Sequence, residues 1–171
     1  MTAMTAATRS RSLLFVVQAL GLSLLIAASA HISVPFWPVP MTLQTFSVVV
    51  IAATAGASLG LAAMLAYLVE GALGLPVFAS GAGIAVLVGP TAGYLAGMMV
   101  AMALVGNAQG AVHRAIAMIA ATCVIYLAGA AWLSRFVGFD RAIEVGVLPF
   151  LLGDAAKMAL AWAIATAARR S

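Results

Sequence analysis

"TLQTFSVVVIAATAGASLGLAAMLAYLVEGALGLPV", residues 42–77, decides the fold. It is apolar almost throughout and too long for a single membrane crossing. Small residues at Ser58-Leu59-Gly60 allow a tight turn there. The stretch therefore divides into two spans, 42–59 and 60–77. Left undivided, it would give five spans and chain ends on opposite sides of a membrane. Divided, it joins four further apolar runs, at 13–32, 88–106, 111–134 and 146–168, in a six-span reading.

Composition supports a lipid environment. The chain has 171 residues, of which 65% are hydrophobic and 7% charged, with a mean hydropathy of +1.19. Soluble domains carry about 25% charged residues, so this chain cannot clothe a globular surface in polar groups. Apolar runs recur along its whole length, which excludes a lone signal peptide or single anchor. The net charge of +4 does not point to nucleic acid, because the eight basic residues form no stripe. Cys123 is the one cysteine and reads as a small packing residue. His31 and His113 have no metal-ligand spacing, and the only lysine, Lys157, is in no phosphate-binding loop. No cofactor is expected.

Basic residues set the direction of the spans. With six spans, Arg9, Arg11, Arg114, Arg169 and Arg170 share one side, which must be cytoplasmic. Both termini fall there. Arg135 and Arg141 fall outside, beside Asp140 and Glu144. The expected fold is thus a single all-α membrane domain over 1–171, with a short polar cytoplasmic N-terminus over about 1–12. Its longer connections, about 33–41, 74–90 and 135–144, lie outside.

Ionisable groups inside a span are costly and mark function. "LLGDAAKMAL" (151–160) holds two, Asp154 and Lys157, on one helix face at i, i+3. They form either a structural ion pair or a two-headed polar wall. Thr42 and Gln44 open the second span at the same depth, Glu70 stands near the outer end of the third, and Thr91 and Tyr94 begin the fourth. Glu70 either pairs with Lys157, meets a ligand, or reaches the headgroups. His31 reads as an interfacial residue. Together these groups converge on an outward-facing pocket.

"HISVPFWPVPMTLQT" (31–45) then has a role. It holds three of the six prolines, and each ring fixes φ near about −65°. Phe36 and Trp37 would form a stiff apolar cover over the cavity, with Gln44 and the threonines at its lip. The alternative is an interfacial loop with Trp37 in the aromatic belt. On the first span, Ala19, Ser23 and Ala27 repeat every four residues, which suits either internal packing or docking of a partner protein.

"VPFWPVPMTLQTF" (34–46), "YLVEGALGLPVFASGAGI" (67–84), "GPTAGYLAG" (89–97) and "LLGDAAKMALAWA" (151–163) occur in this order. The chain thereby resembles the BioY family, the biotin-specific substrate-binding subunits of energy-coupling factor (ECF) transporters, over about residues 31–165. The resemblance implies high-affinity biotin capture at a bacterial cytoplasmic membrane. It also implies a transmembrane coupling (T) subunit and paired ATPase (A) subunits as partners, with no catalysis by this chain. The family's GD-x-x-K motif maps onto Gly153, Asp154 and Lys157, and GPT-x-GY onto Gly89, Pro90, Thr91, Gly93 and Tyr94. Ala92 and Ala82 depart from its usual glycines. By spacing, Ala19, Ser23 and Ala27 match the stripe that docks on the coupling subunit.

Biotin's chemistry suits these residues. Its ureido ring offers two N–H donors and a carbonyl acceptor, for Asp154 and Lys157 respectively. Its thioether ring and valeryl chain want apolar walls, such as Phe36, Trp37, Phe78 and Leu87. Lys157 could instead pair with the carboxylate, and the sequence leaves both orientations open. A self-sufficient secondary transporter for another small vitamin is the alternative. It would show related halves or broken helices, and neither is evident. An intramembrane enzyme would need a nucleophile and base, and no GxSxG motif is present.

Overall fold

The computed structural model describes the backbone of residues 2–168 and side chains from Ser10 onward. Arg169 and Arg170 lie outside the described residues, as does the side chain of Arg9. Helix α1 (Thr2–His31) is followed by a small antiparallel hairpin, β1 (Ser33–Val34) and β2 (Met41–Thr42). Then come α2 (Gln44–Ala55), α3 (Ala57–Ala72), the short α4 (Ile84–Val88) and α5 (Ala92–Gly106). The chain ends in α6 (Ala111–Val137), α7 (Phe139–Gly146), a 3₁₀ turn (Leu148–Phe150) and α8 (Leu151–Ala167).

The 42–77 stretch does divide, though slightly earlier than expected. Gly56 breaks it, with φ +84° and ψ 169°, a backbone state essentially reserved for glycine. Two expected loops contain helices: α4 lies within 74–90, and α7 occupies most of 135–144. The expected polar tail over 1–12 is already helical from Thr2.

Among the described residues, the segments Ser10–His31, Ala111–Val137 and Phe139–Ala167 are long and apolar enough to cross a membrane. Gln44–Ala55, Ala57–Ala72 and Ala92–Gly106 are shorter apolar helices. Large apolar side chains such as Leu24, Leu65, Val100, Ile119 and Leu160 cover the outside of the bundle. The chain is a membrane protein by this inside-out distribution, since water would not tolerate so continuous an apolar belt.

Inside, small residues let helices approach, as packing in lipid requires. The α5–α6 seam is one such close approach. A Cβ at Gly97 would stand 2.7 Å from the Ile125 Cα, and one at Gly129 would enter the Tyr94 ring. Helix α1 packs on α3 and α2. Ala19, Ser23 and Ala27 are all buried in this contact, and the Ser23 hydroxyl meets Glu70 Oε1 at 2.8 Å. The small residues of the stripe thus serve the chain's own helix packing.

Candidate substrate-binding cavity

One end of the bundle collects the starts of α2, α5 and α8 with the later part of α3 and the middle of α6. That end holds a cavity with about 620 Å³ of atom-free space, its open mouth included. Most of its wall is apolar or aromatic, with Val39, Phe78, Val86, Leu95, Met98, Ile125 and Phe150 among its members.

The polar floor is built on α8. Phe150, at the end of the 3₁₀ turn, leads directly into the helix, so Asp154 and Lys157 fall in its first two turns. Lys157 Nζ donates to Asp154 Oδ1 at 2.8 Å and to the Thr42 carbonyl at 2.6 Å. Thr45 Oγ1 donates to Asp154 Oδ1 at 3.2 Å, and the Tyr126 hydroxyl donates to Oδ2 at 2.8 Å. Asp154 is thus held from α2, α6 and its own helix. The carboxylate side chain is 5% exposed and the lysine 16%. An ammonium has three protons, so Lys157 retains one for a ligand, and Oδ2 retains acceptor capacity.

Gln44 lines the cavity and is 4% exposed. Its Nε2 is buried and meets no full hydrogen-bond geometry among the described residues, although the Tyr67 hydroxyl lies close to the side-chain amide. A buried donor without a full hydrogen bond costs up to about 3 kcal/mol, which a bound acceptor would recover.

The remaining sequence candidates divide. Thr42, Phe78, Thr91 and Tyr94 line the cavity. Phe78 is seated edge-on against Tyr67, with ring centroids 5.2 Å apart, and its ring fills the space beside Gly71. Tyr94 donates to the Gly146 carbonyl at 2.8 Å, which ties the wall to α7. Glu70 is not in the wall; it faces Ser23 on α1. Phe36 and Trp37 are not in the wall either. They are 45% and 83% exposed. Pairing of Ser33 with Thr42 and Val34 with Met41 turns Val39 and Pro40 toward the cavity and leaves Phe36 and Trp37 outside. Leu87 yields its expected place to Val86. His31 Nε2 meets the Pro76 carbonyl at 2.8 Å, joining the hairpin's root to the loop after α3.

Sequence reading missed Tyr67 and Tyr126. All three tyrosines of the chain line the cavity. The available signal was Tyr126 in mid-span, since a buried phenol needs a partner.

A helical membrane bundle with a cavity at one end, apolar walls and an ionic floor defines a class: integral membrane proteins that bind a small amphipathic solute. Comparison with known proteins gives the particular family. The BioY family model matches residues 2–171, and the chain belongs to the BioY family. It is 44% identical to the probable biotin transporter BioY of Pyrococcus horikoshii over 142 residues, 82% of this chain and 87% of that one. It is 39% identical to the biotin transporter BioY of Thermotoga maritima over 147 residues, again 82% and 87%. The fold matches the crystal structure of the S-component for biotin from an ECF-type ABC transporter with a TM-score of 0.80. That match covers 95% of this chain and 94% of that one at 22% identity.

Proposed function

We propose that the protein captures biotin with high affinity from outside the cytoplasmic membrane, as the substrate-binding subunit of an ECF-type transporter. It crosses the membrane six times with both termini in the cytoplasm, and the cavity opens outward. It performs no chemistry on its ligand. A transmembrane coupling subunit and paired ATPase subunits supply the energy.

The observation that carries this reading is the floor: a buried Asp154–Lys157 pair beside Gln44 Nε2, which lacks a full hydrogen bond. As a unit the pair is neutral. A ligand carboxylate brought to Lys157 would also confront the Asp154 carboxylate, which disfavours it. A cyclic urea suits all three groups. Its carbonyl accepts from the spare Lys157 proton and from Gln44, and one ureido N–H donates to Asp154 Oδ2. The thioether ring and chain then lie against Phe78, Leu95, Met98 and Ile125, with the ligand carboxylate toward the mouth.

The test is a ligand panel on the purified chain in lipid nanodiscs, read by thermal stabilisation and calorimetry. Biotin and a biotin analogue lacking the carboxylate both stabilise; thiamine and riboflavin do not. Stabilisation by thiamine alone would overturn the substrate, and binding that requires the carboxylate would reverse the orientation. Accumulation of biotin in vesicles by this chain alone would favour a self-sufficient transporter.

A further inference from the structure

Within the hairpin tip "PFWPVP" (35–40), Val39 and Pro40 line the cavity, while Phe36 and Trp37 are left exposed and without a role. We propose that this tip is an interfacial lipid anchor, inserted at the boundary of headgroups and acyl chains beside the cavity mouth.

Three observations support lipid as the occupant. First, exposed apolar side chains lead up to the tip along two elements. Leu24 and Leu25 on α1 are followed by Ile32, Val34, Phe36 and Trp37 after it. Leu65 and Val69 on α3 are followed by Leu73 and Leu75. The His31–Pro76 bond holds these two edges together. Second, no Asp, Glu, Lys or Arg occurs between Arg11 and Glu70, so the hairpin carries no charge to be stripped of water. Third, Pro35, Pro38 and Pro40 remove half the backbone N–H groups of the six-residue tip. Irregular backbone is excluded from lipid because its donors go unpaired, and proline has none to leave unpaired. Indole rings favour the headgroup level, where the ring is solvated by apolar groups and its N–H by water.

Trp37 reports on this directly once Trp132 and Trp162 are replaced by Phe. In phosphatidylcholine vesicles its emission is expected to be blue-shifted and quenched more by lipids brominated high on the acyl chain than by lipids brominated near its end. Aqueous iodide is expected to quench it weakly. Water-like emission with strong iodide quenching would overturn the proposal. So would an emission insensitive to brominated lipid but shifted by protein concentration, which would assign the tip to a second copy of the chain. If the double Phe variant does not fold, a nitroxide on Trp37→Cys in a Cys123→Ala background gives the same answer. Oxygen should then broaden its spectrum more than a water-soluble nickel complex does. Biotin calorimetry on the same samples keeps this test separate from the substrate assignment, since the tip can be in lipid whatever the cavity binds.

Discussion

Replacing Asp154 with Asn separates the structural work of the carboxylate from its work on the ligand. The two oxygens accept from Thr45, Lys157 and Tyr126. An amide offers one oxygen and one NH₂, so either Tyr126 or the Thr45–Lys157 side faces a donor. Breaking a buried pair from one side costs about 3–5 kcal/mol. Lys157 keeps the Thr42 carbonyl and reaches the cavity, so the lower end, about 3 kcal/mol, is expected. The ligand in addition loses a hydrogen bond to a charged acceptor, worth about 1.5–3 kcal/mol, or roughly a 10- to 150-fold weaker Kd. Thermal unfolding and calorimetry in nanodiscs measure the two quantities on one sample. The paired change Asp154→Leu with Lys157→Leu sharpens the test. Two apolar residues in place of a buried pair restore stability to the native level or above it, yet leave no grip on a urea. A double variant that binds biotin as tightly as the native chain would refute the assignment of the floor to the ligand.

Gln44→Leu removes the donor that lacks a full hydrogen bond in the free protein; biotin affinity should fall roughly 2- to 12-fold, one neutral hydrogen bond of about 0.5–1.5 kcal/mol, measured by calorimetry. Ser23→Val takes from Glu70 its α1 partner and should lower the unfolding temperature without changing biotin affinity, because Glu70 is outside the cavity wall. Gly56→Ala forces a side chain into a glycine-only conformation and should destabilise by about 1–3 kcal/mol, read by thermal unfolding. Gly97→Val drives a branched side chain into the α6 backbone at Ile125; it should destabilise by about 1–3 kcal/mol and loosen biotin binding, since Tyr126 is anchored on that helix.

How much was legible in the sequence depended on whether a residue's cost was local or relational. Asp154 and Lys157 stand out in any reading, because ionisable groups inside apolar helices are expensive wherever the helix packs. The division of 42–77 was visible from its length, but its position was not. A turn needs one residue with the right φ and ψ, and Gly56 supplies it where Ser58-Leu59-Gly60 looked equally permissive. The hairpin was opaque for a similar reason. Which of six consecutive apolar residues faces inward is set by the register of Ser33–Thr42 and Val34–Met41, and a one-residue slip would exchange the faces. The Ala19–Ser23–Ala27 stripe reads the same whether its neighbour is another protein or another helix. The contact of Ser23 with Glu70, remote in sequence, is what reveals the internal packing. Helix α7 was passed over because eight residues give too short a pattern.

The floor's arrangement also bears on why an ion pair stands where two leucines would insert into the membrane more easily. A buried pair is a poor device for stability, so its retention calls for another explanation. In the free protein Asp154 is already fixed by donors from three places in the fold, and Lys157 by acceptors from two. Neither side chain has to be ordered when the ligand arrives, and ordering a long side chain would otherwise cost about 0.5–1.5 kcal/mol. What remains unsatisfied, one ammonium proton, one carboxylate lone pair and the Gln44 amide, is the complement of a neutral cyclic urea. On this argument Tyr126 and Thr45 act on affinity without touching the ligand. Tyr126→Phe should weaken biotin binding while leaving the preference for biotin over thiamine intact, whereas Gln44→Leu should weaken binding and erode the preference for the urea over its sulfur analogue, a poorer acceptor. Calorimetry with biotin and its 2-thio analogue on the two variants distinguishes them, and an identical loss of discrimination in both would mean that the floor is not preorganised in this way.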